Sequence, residues 1–220
     1  MTRRTRIKIC GLTREADVDA AVEAGADAVG FVFYPKSPRF VTLARAVELA
    51  GRLPPFVMPV GLFVNAADAE VDAAGAAIPQ LLLQFHGDET PAQCERAGRP
   101  YLRAARIAPG FDLLDFGFRF AHAQAILLDA HVDGYGGGGK VFDWSLVQSP
   151  VAQRAELPPL VLSGGLNAAN VIDGIRALRP WAVDVSSGVE SAKGIKDAEA
   201  IRRFCDAVRQ VDREADASSA

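Results

Sequence analysis

The 220-residue chain has only three cysteines, and their positions argue against two kinds of site. Cys10, Cys94 and Cys205 are far apart, their number is odd, and no CxxC pair occurs. A disulfide framework and a zinc site both need a different spacing, so we expect neither. No two of the three histidines stand at metal-ligand spacing, so we expect no metal and no other cofactor. A reducing cytoplasm is the simplest setting for such a chain.

Long apolar runs and clusters of basic residues are also missing. No uninterrupted apolar run approaches the ~20 residues of a membrane span. The basic start of the chain is followed by the polar residues 13–17, where an export signal would be apolar. The formal net charge is −3, and nucleic-acid binding would need clustered basic residues. We therefore expect no membrane and no nucleic-acid partner, and the sequence leaves monomer and homodimer equally open.

The chain does contain eight strand-like apolar runs, and helix-like segments follow most of them. The runs cover residues 6–10, 28–33, 58–64, 81–87, 101–107, 125–130, 160–165 and 182–188. This alternation predicts an α/β fold, a single (β/α)8 TIM barrel over residues 1–211. The alternative is an open doubly wound sheet, which would usually have fewer strands, and no GxGxxG follows the first run. Residues 212–220 are predicted to form a disordered tail.

Two residues at strand ends predict acid–base chemistry, because the loops after the strands carry the working groups of such barrels. Cys10 shares a strand face with Lys8, whose ammonium would favour the thiolate, the form that acts as a base. Asp129 ends another strand and could act as a general acid. Inert packing is the alternative for Cys10, and a helix cap or ion pair for Asp129. The same face alternation predicts a buried pair between Lys8 and Asp184 on neighbouring strands.

Two loops rich in serine and glycine follow the seventh and eighth runs. Their residues are Ser163, Gly164, Gly165, Ser186, Ser187 and Gly188. Glycine lets backbone N–H groups approach a phosphate and serine adds a hydroxyl donor, so the loops predict a phosphate site; plain tight turns are the alternative. The segment GYGGGGK at 134–140 lacks the Ser or Thr of a P-loop, because Val141 follows it. We predict a mobile flap there, with Lys140 available to an anion.

Two further polar residues suit a ligand that is planar and acidic. His86 follows the fourth run and could hydrogen-bond to or stack on a planar group, although a structural role is the alternative. Arg39 lies on a loop that Pro35 and Pro38 stiffen. A guanidinium binds a carboxylate with two parallel hydrogen bonds, whereas an ordinary surface charge is the alternative for Arg39.

Seven motifs, in order along residues 6–205, resemble the phosphoribosylanthranilate isomerase family of tryptophan biosynthesis. They are KICGLT, GADAVGFVFYPKSPRF, VGLFVN, QFHGDE, LLDAHVDGYGGGGKVFDW, LVLSGGLNAANV and AVDVSSGVE. The resemblance implies an Amadori rearrangement of a phosphorylated sugar carrying an aromatic amine, with no cofactor. It implies that Asp129 protonates the sugar ring oxygen and that Cys10 removes the proton from C2. The two Ser/Gly loops would hold the phosphate.

The resemblance also implies substrate contacts: Arg39 for the anthranilate carboxylate, with His86 and Asp184 lining the ring and sugar. Two other functions are considered. A sister isomerase of the histidine pathway takes a substrate with two phosphates and would need a second Ser/Gly-rich loop after the third and fourth runs, where LFVNAAD and QFHGDE have none. A non-catalytic module that binds phosphorylated metabolites would keep the two loops without needing Cys10 and Asp129 together.

Overall fold

The computed structural model describes residues 4–130, 143–147 and 157–217, and eight parallel strands within them close into one barrel in the order β1 to β8. The strands are β1 (Arg6–Cys10), β2 (Ala28–Val32), β3 (Met58–Phe63), β4 (Leu82–Phe85), β5 (Tyr101–Ile107), β6 (Ala125–Ala130), β7 (Leu160–Leu162) and β8 (Ala182–Val185). β1 pairs with both β2 and β8, which closes the ring. The predicted (β/α)8 barrel is confirmed.

Seven α-helices are present in the described residues. They are α1 (Glu15–Glu23), α2 (Leu43–Ala50), α3 (Asp68–Ala77), α4 (Pro91–Arg96), α5 (Leu113–Arg119), α6 (Val171–Leu178) and α7 (Ala198–Ala217). Between β6 and β7 the described part contains a 3₁₀ turn, Trp144–Val147. A second 3₁₀ turn, Ser187–Val189, leads into a small hairpin of β9 (Glu190–Ala192) and β10 (Ile195–Lys196).

Side chains of each strand alternate between two apolar layers. Ile7 and Ile9 pack into the layer between the strands and the helices, together with Val183 and Val185. The barrel interior is filled by a separate cluster that includes Val60, Leu102, Leu127 and Val161. Lys8, between the two isoleucines, and Asp184, between the two valines, therefore face inward, because successive strand side chains point to opposite faces. Burial on both faces explains why the strands read as continuous apolar runs.

Local capping explains where two of the helices begin. α4 starts with Pro91 at its first position, and Thr90 before it accepts a hydrogen bond from the Gln93 backbone N–H (3.4 Å). The Gln93 side chain accepts in return from the Thr90 N–H (2.8 Å), which completes a capping box. α5 begins after Asp112, whose carboxylate caps its first turn.

The end of the chain differs from the predicted tail at residues 212–220, because α7 continues to Ala217. Asp212 accepts hydrogen bonds from the backbone N–H and the hydroxyl of Thr5, both at 2.8 Å. Glu214 forms an ion pair with Arg176 of α6 at 2.7 Å. These contacts with the barrel start and a neighbouring helix hold the last turns of α7, which the local composition alone did not indicate.

Candidate active site

The predicted acid and base lie at the same rim of the barrel, with the two serine–glycine loops between them. Cys10 is the last residue of β1, and Asp129 is the penultimate residue of β6. Between β1 and β6 the barrel contains β7 and β8, and the loops 163–165 and 186–188 follow these two strands. A ligand anchored by the loops would therefore have Cys10 on one side and Asp129 on the other.

Lys8 and Asp184 form a buried ion pair in the barrel wall, as predicted. Their strands are in register at these residues, and Lys8 Nζ lies 2.7 Å from Asp184 Oδ1. The two side chains are 5% and 6% exposed. The Ser163 hydroxyl donates to the other carboxylate oxygen at 3.2 Å. Burial lowers the pKa of Lys8, but the negative charge of Asp184 and the neighbouring Cys10 outweigh it and raise this pKa to about 12.

The Cys10 thiol is 4% exposed and sits against the backbone of the next strand. A Cβ on Gly30 would lie 2.7 Å from its sulfur, so the neighbouring position admits glycine only. Burial raises the pKa of Cys10, Lys8 opposes that rise, and Asp184 adds to it. The thiol is therefore the favoured form in this state, and the ammonium of Lys8 is the charge that eases its ionisation.

Asp129 belongs to a buried hydrogen-bonded chain that links β6 to the end of β4. His86 Nε2 lies 3.0 Å from Asp129 Oδ2, and Ala130 donates its backbone N–H to Oδ1 at 2.9 Å. On its other side, His86 Nδ1 lies 3.1 Å from Gln84 Nε2. The sequence predicted His86 and Asp129 separately, whereas the structure joins them and adds Gln84.

The two serine–glycine loops contact each other and approach Asp129. A Cβ on Gly188 would lie 1.8 Å from the Leu166 carbonyl oxygen, so the loops pack with no room for a side chain there. Gly164 and Gly165 have φ of +80° and +66°, which ends β7 before the predicted strand limit at 165. A Cβ on Gly164 would lie 2.9 Å from Asp129 Oδ1. The two loops therefore lie close together beside the carboxyl group of Asp129.

Arg39 is held by Glu190, which also binds Lys196; the sequence reasoning missed both Glu190 and Lys196. Its Nε and Nη2 donate to the two carboxylate oxygens of Glu190 at 2.7 and 2.8 Å. Lys196 Nζ lies 2.9 Å from the same carboxylate and donates to the Ser186 carbonyl at 3.0 Å. Burial would raise the pKa of Glu190, but hydrogen bonds from Arg39 and Lys196 outweigh it and lower that pKa. The sequence signal that could have indicated this pair is the presence of opposite charges on either side of Gly194.

Glu89 joins the loops that follow β3 and β4. Its carboxylate accepts from the backbone N–H of Asn65 (2.7 Å) and of Gly87 (2.9 Å), and it forms a 3.3 Å ion pair with Arg103. A Cβ on Gly87 would lie 2.4 Å from Asn65 Oδ1, so the two loops are in close contact. Backbone donors of this part of the rim are therefore bonded to an acidic side chain.

The sequence model of the N-(5'-phosphoribosyl)anthranilate (PRA) isomerase family matches residues 7–207. The chain belongs to this family. Its PRA isomerase relatives include a protein of Methylibium petroleiphilum, "N-(5'-phosphoribosyl)anthranilate isomerase", which is 75% identical over 98% of this chain and 99% of its own length. The same name is given to a protein of Leptothrix cholodnii, 71% identical over 98% of this chain and 96% of its own.

Solved PRA isomerase structures have the same fold. The enzyme of Thermotoga maritima superposes with a TM-score of 0.83 at 40% identity, covering 94% of this chain and 99% of the other. A second structure of a PRA isomerase, with a TM-score of 0.80 and 37% identity over 94% and 99% of the two chains, is a complex with reduced 1-(o-carboxyphenylamino)-1-deoxyribulose 5-phosphate. The family assignment thus agrees with the barrel and with the order of the motifs.

The remaining predictions concern cysteines, metals, membranes and the glycine flap. Cys94 and Cys205 are fully buried in the core and, like Cys10, are free. Within residues 4–130, 143–147 and 157–217, no group of three or more His, Cys, Asp or Glu side chains is placed to hold a metal ion. None of the helices in these ranges has the length and apolar character to cross a membrane. The predicted flap at 134–140 lies outside the described residues.

Proposed function

We propose that this chain catalyses the Amadori rearrangement of N-(5'-phosphoribosyl)anthranilate to 1-(2-carboxyphenylamino)-1-deoxyribulose 5-phosphate, a step of tryptophan biosynthesis. The observation that carries the proposal is the pair of Cys10 and Asp129 on one barrel rim, on either side of the packed serine–glycine loops. An aldose–ketose isomerisation needs one group that gives a proton and another that removes one, with the sugar fixed between them. The three free cysteines suit a reducing cytoplasm, where we place the reaction.

The reaction is assigned to these two groups in two steps. Asp129 donates its proton to the furanose ring oxygen as the bond between C1 and that oxygen breaks, which leaves a Schiff base. The Cys10 thiolate then removes the proton from C2, and the resulting enolamine tautomerises to the ketone. The raised pKa of Cys10 makes the nearby ammonium of Lys8 important, because it stabilises the thiolate relative to the thiol.

Two anionic ends of the substrate are assigned to separate parts of the rim. The phosphate is placed on the loops Ser163–Gly165 and Ser186–Gly188, where glycine leaves backbone N–H groups accessible. The anthranilate carboxylate is placed against Nη1 of Arg39, because Glu190 takes the other two nitrogens. Arg39 and Lys196 share the single carboxylate of Glu190, so an arriving carboxylate would neutralise the second cation.

The loops after β3 and β4 favour a substrate with one phosphate over the histidine-pathway substrate with two. A second phosphate would need backbone or side-chain donors there. The N–H groups of Asn65 and Gly87 are instead bonded to the Glu89 carboxylate, so these donors are already occupied. We therefore expect turnover of the two-phosphate sugar to be far slower than turnover of phosphoribosylanthranilate.

The test is incubation with phosphoribosylanthranilate, following loss of the substrate and formation of the ketose. Cys10→Ser and Asp129→Asn should each lower kcat by about 10²–10⁴-fold, because each removes one proton-transfer group. Cys205→Ala, in the core, and Asp72→Asn, an exposed carboxylate, are matched controls and should retain kcat.

Two results would contradict the proposal. Full rates in both site variants would remove the acid and base assignments. Binding of the substrate without any turnover by the unmodified protein would instead favour the non-catalytic module that binds phosphorylated metabolites.

A further inference from the structure

Gln84 is a buried polar side chain to which the proposed mechanism gives no role. It lies on β4, faces the barrel interior and is 0% exposed. Its Nε2 is 3.1 Å from His86 Nδ1, whereas its Oε1 is buried and has no hydrogen-bond partner in the described part of the chain. A buried acceptor without a partner is unfavourable, because it has lost its hydrogen bonds to water without replacement. Such a group in a native fold calls for an explanation beyond stability.

The amide of Gln84 bears on which nitrogen of the neutral imidazole carries the proton. Because an NH₂ group can only donate, a hydrogen bond from Gln84 Nε2 to Nδ1 requires Nδ1 to be unprotonated. In that tautomer Nε2 bears the hydrogen and faces Asp129 Oδ2 at 3.0 Å as a donor. Because the Ala130 N–H donates to Oδ1 at 2.9 Å, each oxygen of the carboxylate has a donor.

We propose that Gln84 is a positioning residue that holds His86 in the Nε2–H tautomer, so that the ring always presents a donor to Asp129. The inference rests on the proposed function, in which Asp129 becomes a carboxylate when it protonates the sugar ring oxygen. Two fixed donors stabilise the charge that develops on Asp129 at that moment. The opposite amide orientation would place Oε1 against Nδ1, require a proton there and leave the lone pair of Nε2 facing the carboxylate.

The tautomer can be measured directly by ¹⁵N NMR of the imidazole, without any substrate. The chain has three histidines, so the spectrum is simple to assign. We expect the neutral His86 ring to give a pyridine-type Nδ1 signal and a pyrrole-type Nε2 signal. In Gln84→Glu the ionised carboxylate can only accept, so Nδ1 should become pyrrole-type. A protonated Nδ1 in the neutral ring of the unmodified protein would overturn the proposal.

A kinetic experiment separates positioning from packing. Gln84→Met keeps the size of the side chain but removes the donor, and it should lower kcat about 10–100-fold while KM stays within about twofold. Leu82→Met, two residues earlier on the same strand face, is the matched control and should change kcat by less than about twofold. Unchanged kcat in Gln84→Met would overturn the proposal. Absence of turnover in the unmodified protein would contradict the proposed function instead, and the NMR result would still decide the tautomer.

Discussion

Replacing Asp184 by asparagine removes the negative charge that faces Lys8 in the barrel wall and keeps the shape of the side chain. The two charged atoms are 2.7 Å apart, and the side chains are 5% and 6% exposed. At an effective dielectric constant of about 20, their attraction is roughly 6 kcal/mol. Both groups lose hydration when they are buried, so the net contribution of the pair is much smaller than this attraction.

The free energy of unfolding should distinguish loss of one member of the pair from loss of both. Asp184→Asn or Lys8→Met alone leaves one buried charge without its partner and should lower the free energy of unfolding by roughly 3–5 kcal/mol. For a domain of this size that corresponds to a fall of about 6–20 °C in Tm. The double variant leaves no unpaired charge, so its loss should be well below the sum of the two single losses.

The assay is urea unfolding of the four proteins of this double-mutant cycle. The exposed pair Arg52–Asp19, at 2.6 Å with side chains 44% and 43% exposed, is the matched control. Asp19→Asn should cost less than about 1 kcal/mol, because solvent screens that pair. The reasoning would be refuted if Asp184→Asn lowered the free energy of unfolding as little as Asp19→Asn does. Strictly additive losses in the double variant would refute it as well.

Three further predictions concern the same rim. Folding raises the pKa of Lys8 from 10.5 to about 12, so its ion pair with Asp184 stabilises the fold fully below pH 10.5. This stabilisation is lost as the pH rises toward 12. Urea unfolding should show the loss in the unmodified protein and not in Lys8→Met. Iodoacetamide should alkylate Cys10 slowly at neutral pH and faster as the pH rises beyond 9, because burial raises the pKa of this thiol above its ordinary value. Alkylation should be slower in Lys8→Met at any given pH, and equal rates followed by mass spectrometry would contradict this. Cys94 and Cys205 should react less, because both are 0% exposed whereas Cys10 is 4% exposed. Gly188→Ala should lower kcat/KM by roughly 10²-fold because its Cβ would meet the Leu166 carbonyl oxygen and separate the two loops, whereas Gly51→Ala, whose nearest contact would be 3.4 Å, should leave the kinetics unchanged.

Most of the fold could be predicted, because its signals are local. Most of the eight strands are short runs that are apolar on both faces, and a helical segment follows most of these runs. The end of the chain was the exception: the polar residues after 211 indicate a tail, yet α7 extends to Ala217. Thr5, more than 200 residues earlier, supplies the contact that holds this extension, and no local pattern records such a partner.

The candidate site was predictable to the extent that it follows from strand alternation. Alternation placed Lys8, Cys10 and Asp184 on the inner face. The ion pair between Lys8 and Asp184 followed from the closure of the barrel, which makes β1 and β8 neighbours. It did not indicate Glu190 or Lys196, because these residues reach the site through a hairpin after β8. The roles of the individual residues in catalysis and binding stay predictions.

The amino-acid sequence by itself determined the barrel, the inner or outer face of each strand residue and the gathering of reactive groups at one rim. These properties depend on the two-residue alternation of side chains along a strand, and on the fact that parallel strands all end at the same rim. Only the tertiary structure decided that His86 bonds to Asp129 and Gln84, and that Arg39 and Lys196 share the carboxylate of Glu190. A hydrogen bond requires atoms from distant segments to meet within a few tenths of an ångström, and that distance is set by the packing of the whole barrel.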